Sequence, residues 1–403
     1  MNLNKLRITD LQLKDKRVFT RLDLNVPLDK ECNITDDYRI TSAVPTIEYI
    51  IKKGGKPIIA SHLGRPKGKV VPELSLKPVK MRLKELLNRE VIFSENIIGE
   101  KALELSNNLK NGQVLLLENL RFNPGERSND PEFCKNLALL GDLYVNDAFG
   151  AVHRAHASVT GITNFFERCA MGFLIEKELK WLGYASKNPE KPFIAVLGGA
   201  KIKEKIDVIL NLIPKVNTIL VGGAMAFTFL KKEGVSVGNS LVEDEKLPEA
   251  NKILKYAIEK KTNFVLPNDF VVADAFSNDA QTMVVEKNNI PDGWMGLDIG
   301  PITTKIFKNA LQNAKTIFWN GPMGVFEMPN FKNGTIEIAR SIAEATDNGA
   351  TTVVGGGDSV SAIKMAGIKN GFTHISTGGG ASLDFMAGKE LPGIVALSNR
   401  EEV

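Results

Sequence analysis

Short runs of β-branched and aliphatic residues recur along the chain, and stretches of amphipathic helical pattern follow many of them. This alternation restricts the fold more than any other feature. The runs Arg17–Leu22, Pro57–Ala60, Val114–Leu117, Leu143–Val145, Phe193–Leu197, Thr218–Val221, Asn263–Leu266, Thr316–Trp319, Thr351–Val354 and His374–Ser376 read as strands. Most are apolar throughout, the pattern of strands covered on both faces. Segments such as Leu76–Leu87 and Ile202–Ile213 carry the helical period. Strands alternating with helices argue for parallel, doubly wound sheets. So many strands suit two sheets of moderate size better than one.

A length of 403 residues also exceeds one domain at ~150 residues each. A boundary is legible mid-chain. Ile175, Leu179 and Leu182 recur at helical spacing, and Pro189 and Pro192 then break the pattern. The expected architecture is α/β: two doubly wound parallel-sheet (Rossmann-like) domains, residues 1–172 and 187–388, joined by an interdomain helix at 173–186. There is no internal repeat and no low-complexity tract.

Composition mainly excludes. The net charge of +4 is too small to imply nucleic acid on its own. Cys32, Cys134 and Cys169 lie far apart, and an odd count without C-x-x-C disfavours a disulfide framework or a zinc site. A reducing cytoplasm fits. The N-terminus lacks the apolar core of a signal peptide, and the uncharged stretch Val216–Leu230 is too short to span a bilayer, which needs ~20 residues. A soluble protein with no membrane partner is expected.

In open parallel sheets ligands bind beyond the carboxyl ends of the strands. In the first half those positions read RLDLNVP (21–27), SHLGRP (61–66), LENLRF (117–122) and VNDAFGAVHRAHAS (145–158). They predict that Arg21, Arg39, His62, Arg65, Arg121 and Arg154 converge on one sheet edge. Asp23 and Asn25, two apart, are expected on one strand face. Arginine forks match carboxylate and phosphate oxygens, so the natural ligand is a small, multiply charged anion. Asp23 suggests a hydroxyl to accept from, or a partner that fixes an arginine. A single loop arginine is usually in a solvated ion pair; the case rests on four strand ends with one character. His153 and His156 read as structural.

In the second half the strand ends are glycine-rich: VLGGAKIKEK (196–205), LVGGAMAF (220–227), VVGGGDSVSA (353–362) and ISTGGGASLD (375–384). Glycines there let backbone N–H groups approach a phosphate at a helix start, although glycine also serves plain turns. Lys201 and Lys205, four apart, are expected on one helix face. Cations in a first turn oppose the macrodipole, and a bound anion resolves the conflict. Asp358 and Ser359 read either as a helix cap or as holding magnesium between phosphates. Asn320 can donate to a phosphate and Glu327 can accept from ribose hydroxyls. Trp294 reads as packing, and Gly296 as letting a base lie close to the backbone.

Absent motifs narrow the field. There is no G-x-x-x-x-G-K-[ST], no H-R-D with D-F-G, no G-x-G-x-x-G fingerprint after a strand and no H-E-x-x-H. A nicotinamide oxidoreductase therefore lacks its fingerprint. An RNA-binding or metabolite-binding protein lacks aromatic residues interleaved with the basic strand ends.

Taken together, RLDLNVP, SHLGRP, LENLRF, NDAFGAVHRAH, LGGAK, GGAMAFTFL, GWMGLD, WNGPMGVFE, GGGDS and STGGGASL resemble the phosphoglycerate kinase family, in order and over the whole chain. The resemblance implies a phosphotransferase with a carboxyl acceptor, moving a phosphoryl group reversibly between 1,3-bisphosphoglycerate and MgADP to give 3-phosphoglycerate and MgATP. It implies that the first domain binds the glycerate through Asp23, Leu24, Asn25, Arg39, His62, Leu63, Gly64, Arg65, Arg121 and Arg154. It assigns the nucleotide to Lys201, Lys205, Gly222, Gly223, Gly296, Asn320, Glu327, Gly355, Gly356, Gly357, Asp358 and Ser359, with Asp358 nearest the Mg²⁺. Arg39, Lys201 and Lys205 would surround the transferring group. It further implies a cytoplasmic monomer without nucleic-acid partners, whose tail, 389–403, folds back onto the first domain. In-line transfer needs reacting atoms within ~3–3.5 Å, so closure about the 173–186 helix is expected.

Overall fold

The computed structural model describes residues 3–368 and 370–400. Its strands are β1 (Arg17–Leu22), β2 (Lys56–Ala60), β3 (Val91–Ser94), β4 (Val114–Leu117), β5 (Leu143–Asp147), β6 (Cys169–Met171), β7 (Phe193–Leu197), β8 (Thr218–Val221), β9 (Asn263–Val265), β10 (Asp269–Ala273), β11 (Thr282–Glu286), β12 (Met295–Ile299), β13 (Thr316–Asn320), β14 (Thr351–Gly355) and β15 (His374–Ile375). They form two six-stranded sheets in the orders β3-β4-β2-β1-β5-β6 and β15-β14-β13-β7-β8-β9, plus a three-stranded sheet β11-β10-β12. Every pairing in the six-stranded sheets is parallel. The small sheet is antiparallel, with a register shift between Val271 and Val272.

The chain divides into two compact units, one running up to Lys180 and resuming at Glu390, the other Trp181–Lys389. Each has its own core. In the first, Leu22, Ile59 and Leu116 from the sheet pack on Ile40 and Ile47 of the helix Tyr38–Lys52 and on Val79 and Leu83 of the helix Lys77–Leu87. In the second, Val196, Ile317, Trp319 and Val354 meet Phe307 of the helix Pro301–Leu311 and Ile338 and Ile342 of the helix Asn333–Asp347. Strands buried on both faces explain why continuous apolar runs were the legible signal.

The helix Phe173–Lys187 carries the chain from one unit into the other. Its start is tied to the first sheet: the Asp147 carboxylate accepts from Ile175 N at 2.9 Å and from the Thr46 hydroxyl at 2.6 Å. Burial pushes the Asp147 carboxyl up to about 6, against the pull of these donors. The segment from Glu390 lies in the first unit. Lys5 Nζ donates to Leu397 O at 2.8 Å, Ser398 O accepts from Leu6 N at 2.8 Å, and Leu391, Ile394 and Leu397 are buried. Lys389 pairs instead with Asp207 and Asp384 of the second unit, and residues 401–403 of the expected tail lie outside the described residues.

Two local expectations change. The segment 202–213 is not one helix: a 3-10 turn Ile202–Glu204 precedes a helix Ile206–Leu212, with Lys205 between them. Asp23 and Asn25 lie beyond the end of β1, so no strand face aligns them.

Candidate active site

Both six-stranded sheets reverse their winding direction between two central strands, and it is there that the polar loops gather. In the first unit the ends of β4, β2, β1 and β5 are neighbours, so the four basic loops emerge side by side. In the second, the glycine loops follow β15, β14, β7 and β8, and the Asn320 loop follows β13. A topological switch point opens a crevice at the carboxyl edge.

The basic loops are sewn together before any ligand is considered. Asn119, after β4, accepts from Leu63 N at 3.2 Å and Arg121 N at 3.1 Å and donates to Leu63 O at 2.7 Å and Leu74 O at 2.9 Å. Asn25 Oδ1 accepts from Gly64 N at 2.8 Å, and Asp23 Oδ1 accepts from Asn25 N at 3.3 Å. A short turn, not a strand, thus brings Asp23 and Asn25 together. Leu24 and Leu63 bury their side chains in the core, and their N–H groups donate to Ser61 and Asn119. Glu118 of LENLRF accepts from Leu76 N at 2.9 Å, just ahead of the helix Lys77–Leu87.

Asp23 is buried and paired with Arg39, which stands in the first turn of the helix Tyr38–Lys52. Burial raises the Asp23 carboxyl, but Arg39, His62 and Arg21 together hold it below the usual aspartate range. Arg21 is an interior residue, not a ligand-facing one. Its Nε donates to Ser158 Oγ at 2.8 Å, and Ser158 in turn donates to buried Glu126 at 2.7 Å. Arg21 Nη2 lies 3.1 Å from His62 Nδ1. Arginine only donates, so Nδ1 accepts and the ring proton sits on Nε2. Burial holds His62 well below 6.5, with Arg21, Arg121 and Arg39 acting the same way and Asp23 against them. The imidazole is therefore neutral at physiological pH.

Arg65, Arg121 and Arg154 line one cavity of about 400 Å³ with Lys67, Arg127 and His156. Arg121 donates to Gly64 O at 2.7 Å, while its buried Nε finds no acceptor among the described residues. Burial, with Arg154 and Arg21 beside it, lowers Arg121 to about 10. His156, expected to be structural, lines this cavity; burial and the surrounding arginines lower it to about 4. Lys67 and Arg127 were missed. Their signal was only that each follows a basic strand end by a few residues.

In the second unit the glycines divide into two kinds. A methyl group on Gly198 would overlap the Pro322 carbonyl, one on Gly321 the Gly198 carbonyl, and one on Gly223 the Gly199 backbone. One on Gly222 would meet Met323 Sδ, and one on Gly296 the Phe227 ring. These glycines allow the loops after β7, β8 and β13, and the strand β12, to pack closely. Gly199 N donates to Pro322 O at 2.9 Å and Gly223 N to Met323 O at 2.9 Å. Gly199, Gly357 and Gly379 instead face open space. Gly355 and Gly356 face Asn320 Nδ2, which is buried and has no acceptor among the described residues.

Asn320 Oδ1 accepts from Lys205 Nζ. Lys205 is buried at the start of the helix Ile206–Leu212, and burial lowers it to about 8 against the opposing pull of Glu204 and Asp358. Lys201 is exposed ahead of the 3-10 turn, so the two lysines do not share a helix face. Ser359 is buried and its hydroxyl accepts from Gly321 N at 2.8 Å, tying the β13 loop to the helix Gly357–Met365. Asp358 is exposed in the first turn of that helix, whose N-cap, Gly356, supplies no side-chain cap. Of the two sequence readings, the N-cap is therefore not realised by Asp358. Trp294 packs on the Phe227–Phe270 cluster.

Beside these loops lies a cavity of about 370 Å³ lined by Ala200, Gly223, Phe227, Leu241, Phe276, Met295, Gly296, Leu297, Asp298, Met323 and Val325. Its walls are mostly apolar. Phe276 and Leu241 are exposed at its mouth; isolated loop hydrophobics carry no periodicity, and the sequence did not reveal them. Glu327 is exposed in the loop after β13.

A family model, that of phosphoglycerate kinase, matches residues 8–389. A phosphoglycerate kinase of Chlorobium phaeobacteroides is 55% identical over 98% of this chain and 100% of its own length. One from Clostridium botulinum is 52% identical over 99% of this chain and 100% of its own. Among solved structures, phosphoglycerate kinase from Coxiella burnetii superposes with a TM-score of 0.87 at 39% identity, covering 97% of this chain and 98% of that one. The Pyrococcus horikoshii enzyme gives 0.84 at 34% identity, with the same coverage.

Proposed function

From the premise that the chain belongs to the phosphoglycerate kinase family and transfers a phosphoryl group reversibly between 1,3-bisphosphoglycerate and ADP, we propose how its residues divide that work. The basic crevice of the first unit holds the glycerate and the glycine loops of the second hold the nucleotide. The observation that carries this reading is the clustering of Arg65, Arg121 and Arg154 on one cavity at a sheet switch point.

Arg65, Arg121 and Arg154 take the non-transferred phosphate, for which the unpaired Arg121 Nε is a waiting donor. Neutral His62 donates from Nε2, and Asp23 accepts from the substrate hydroxyl while holding Arg39 in place. In the second unit the amides of Gly356 to Ser359 at a helix start, with Lys201 and Lys205, take the nucleotide phosphates. The apolar cavity takes the base and Glu327 the ribose.

Both substrates are anionic and the transferring group spreads charge over three oxygens. The protein therefore positions and neutralises rather than supplying a nucleophile. A pair of unit charges at 4 Å interacts by ~1 kcal/mol in bulk water and ~4 kcal/mol at an effective dielectric of 20. Arg39, Lys201 and Lys205 thus act most strongly once water is excluded, which also protects the acyl phosphate from hydrolysis. Asp358 fits a magnesium ion, since Mg²⁺ prefers one or two carboxylates plus phosphate oxygens and water. Bound there, the ion adds charge neutralisation. Among the described residues no cluster of three His, Cys, Asp or Glu offers a rival site.

Two ligands held by different units must meet within ~3–3.5 Å. We assign the hinge to the helix Phe173–Lys187 and its flanks, and take the enzyme to be a cytoplasmic monomer. No helix among the described residues is long and apolar enough to cross a membrane. The direct test is ATP-dependent phosphorylation of 3-phosphoglycerate, followed by coupling the product to reductant oxidation. Turnover is expected with both substrates and magnesium; no turnover, or turnover without 3-phosphoglycerate, refutes the reading.

A further inference from the structure

Asp298, in β12, is buried in the wall of the cavity read above as the base site. Its carboxylate accepts from Gly334 N at 2.7 Å, at the start of the helix Asn333–Asp347, and from Ile299 N at 2.9 Å. A methyl group on either Gly324 or Gly334 would overlap this carboxylate. Three segments therefore close on one side chain: β12, the loop 321–328 and a helix start. Around it, Val325 N donates to Leu297 O at 2.8 Å and Met323 N to Thr335 Oγ1 at 3.0 Å. That loop leaves Asn320 and carries Glu327.

A buried carboxylate in a mostly apolar wall is costly, and burial pushes Asp298 up to about 7 although both backbone donors favour the charged form. No step derived above uses it. A helix start offers partial positive charge to such a group, and two backbone donors converging on it demand an acceptor on both sides. An amide can accept on one side only; its NH₂ would face a second N–H.

We infer that Asp298 is a positioning residue of the nucleotide site, holding the 321–328 loop against the cavity wall so that Glu327 meets the ribose while the base fills the cavity. This rests on reading that cavity as the base site. Phosphate capture by the Gly356–Ser359 amides does not depend on it.

The test compares ADP with inorganic pyrophosphate by calorimetry on the full chain, with and without Asp298→Asn. Asp298→Asn should weaken ADP about tenfold or more and leave pyrophosphate unchanged. In steady state the KM for ATP should rise, with the KM for 3-phosphoglycerate unaffected and kcat changed less than the KM for ATP. Unchanged ADP affinity overturns the inference, and so does an equal loss for both ligands, which marks a general structural defect. If the variant does not fold, Gly324→Ala, which presses a methyl on the same carboxylate, carries the comparison under the same criteria. Failure of the underlying reading looks different: the unmodified protein would then bind ADP no more tightly than pyrophosphate.

Discussion

Arg39 owes its position to Asp23, a buried carboxylate that three cationic or polar neighbours keep ionised. In the role proposed for Arg39, its charge matters mainly in the transition state. Arg39→Ala should lower kcat by ~10²–10³ while nucleotide affinity, measured by calorimetry, stays close to that of the unmodified enzyme. Lys205 shows the opposite electrostatic balance. Burial lowers it to about 8, so without ligand the amine is charged below that pH and increasingly neutral above it. In the proposed site the nucleotide phosphates favour the ammonium, so binding above pH 8 is expected to take up a proton. ADP affinity should fall between pH 8 and 10, and heats measured in buffers of different ionisation enthalpy should reveal the uptake. A Lys205→Met variant should lose that slope along with affinity.

Elements differ in how openly the sequence announces them. β4 and β7 are continuous apolar runs, β1 and β8 are rich in aliphatic and β-branched residues, and all four were legible to the residue. β3 and β6 are sheet-edge strands: β3 is only partly buried and ends on Ser94, and β6 has three residues, so neither shows a clear apolar run. The antiparallel sheet escaped because β11 is almost wholly exposed, and because β12 contains Gly296 and looks like a loop motif. The site was legible where chemistry concentrates at strand ends. It was not where shape decides, as at Phe276 and Leu241, nor in separating glycines that pack from glycines that face space. That separation has its own consequence. Gly198→Ala forces a methyl onto the Pro322 carbonyl and should cost ~1–3 kcal/mol, a fall in Tm of roughly 5 °C. Gly357→Ala meets nothing within 4 Å. It should leave Tm within about 1 °C yet weaken ADP by crowding the amides at the helix start.

At the scale of the whole molecule, the first unit is assembled from both ends of the chain. Leu391, Ile394 and Leu397 are buried there, and Lys5 donates to carbonyls near the far terminus. Burying one such aliphatic side chain contributes ~1.5–3 kcal/mol, against a total stability of ~5–15 kcal/mol for a domain. Ending the chain at Lys389 should therefore sharply lower the denaturant midpoint of the first unit while sparing the second, whose contacts close before that point. Two transitions in an unfolding curve, with only the weaker one moved, would bear this out; a uniform shift would count against it. During synthesis the first-made sheet therefore lacks its partners Leu391, Ile394 and Leu397 until the whole of the second unit has left the ribosome. A first unit completed by a segment that follows the second cannot close its core until the second has been made.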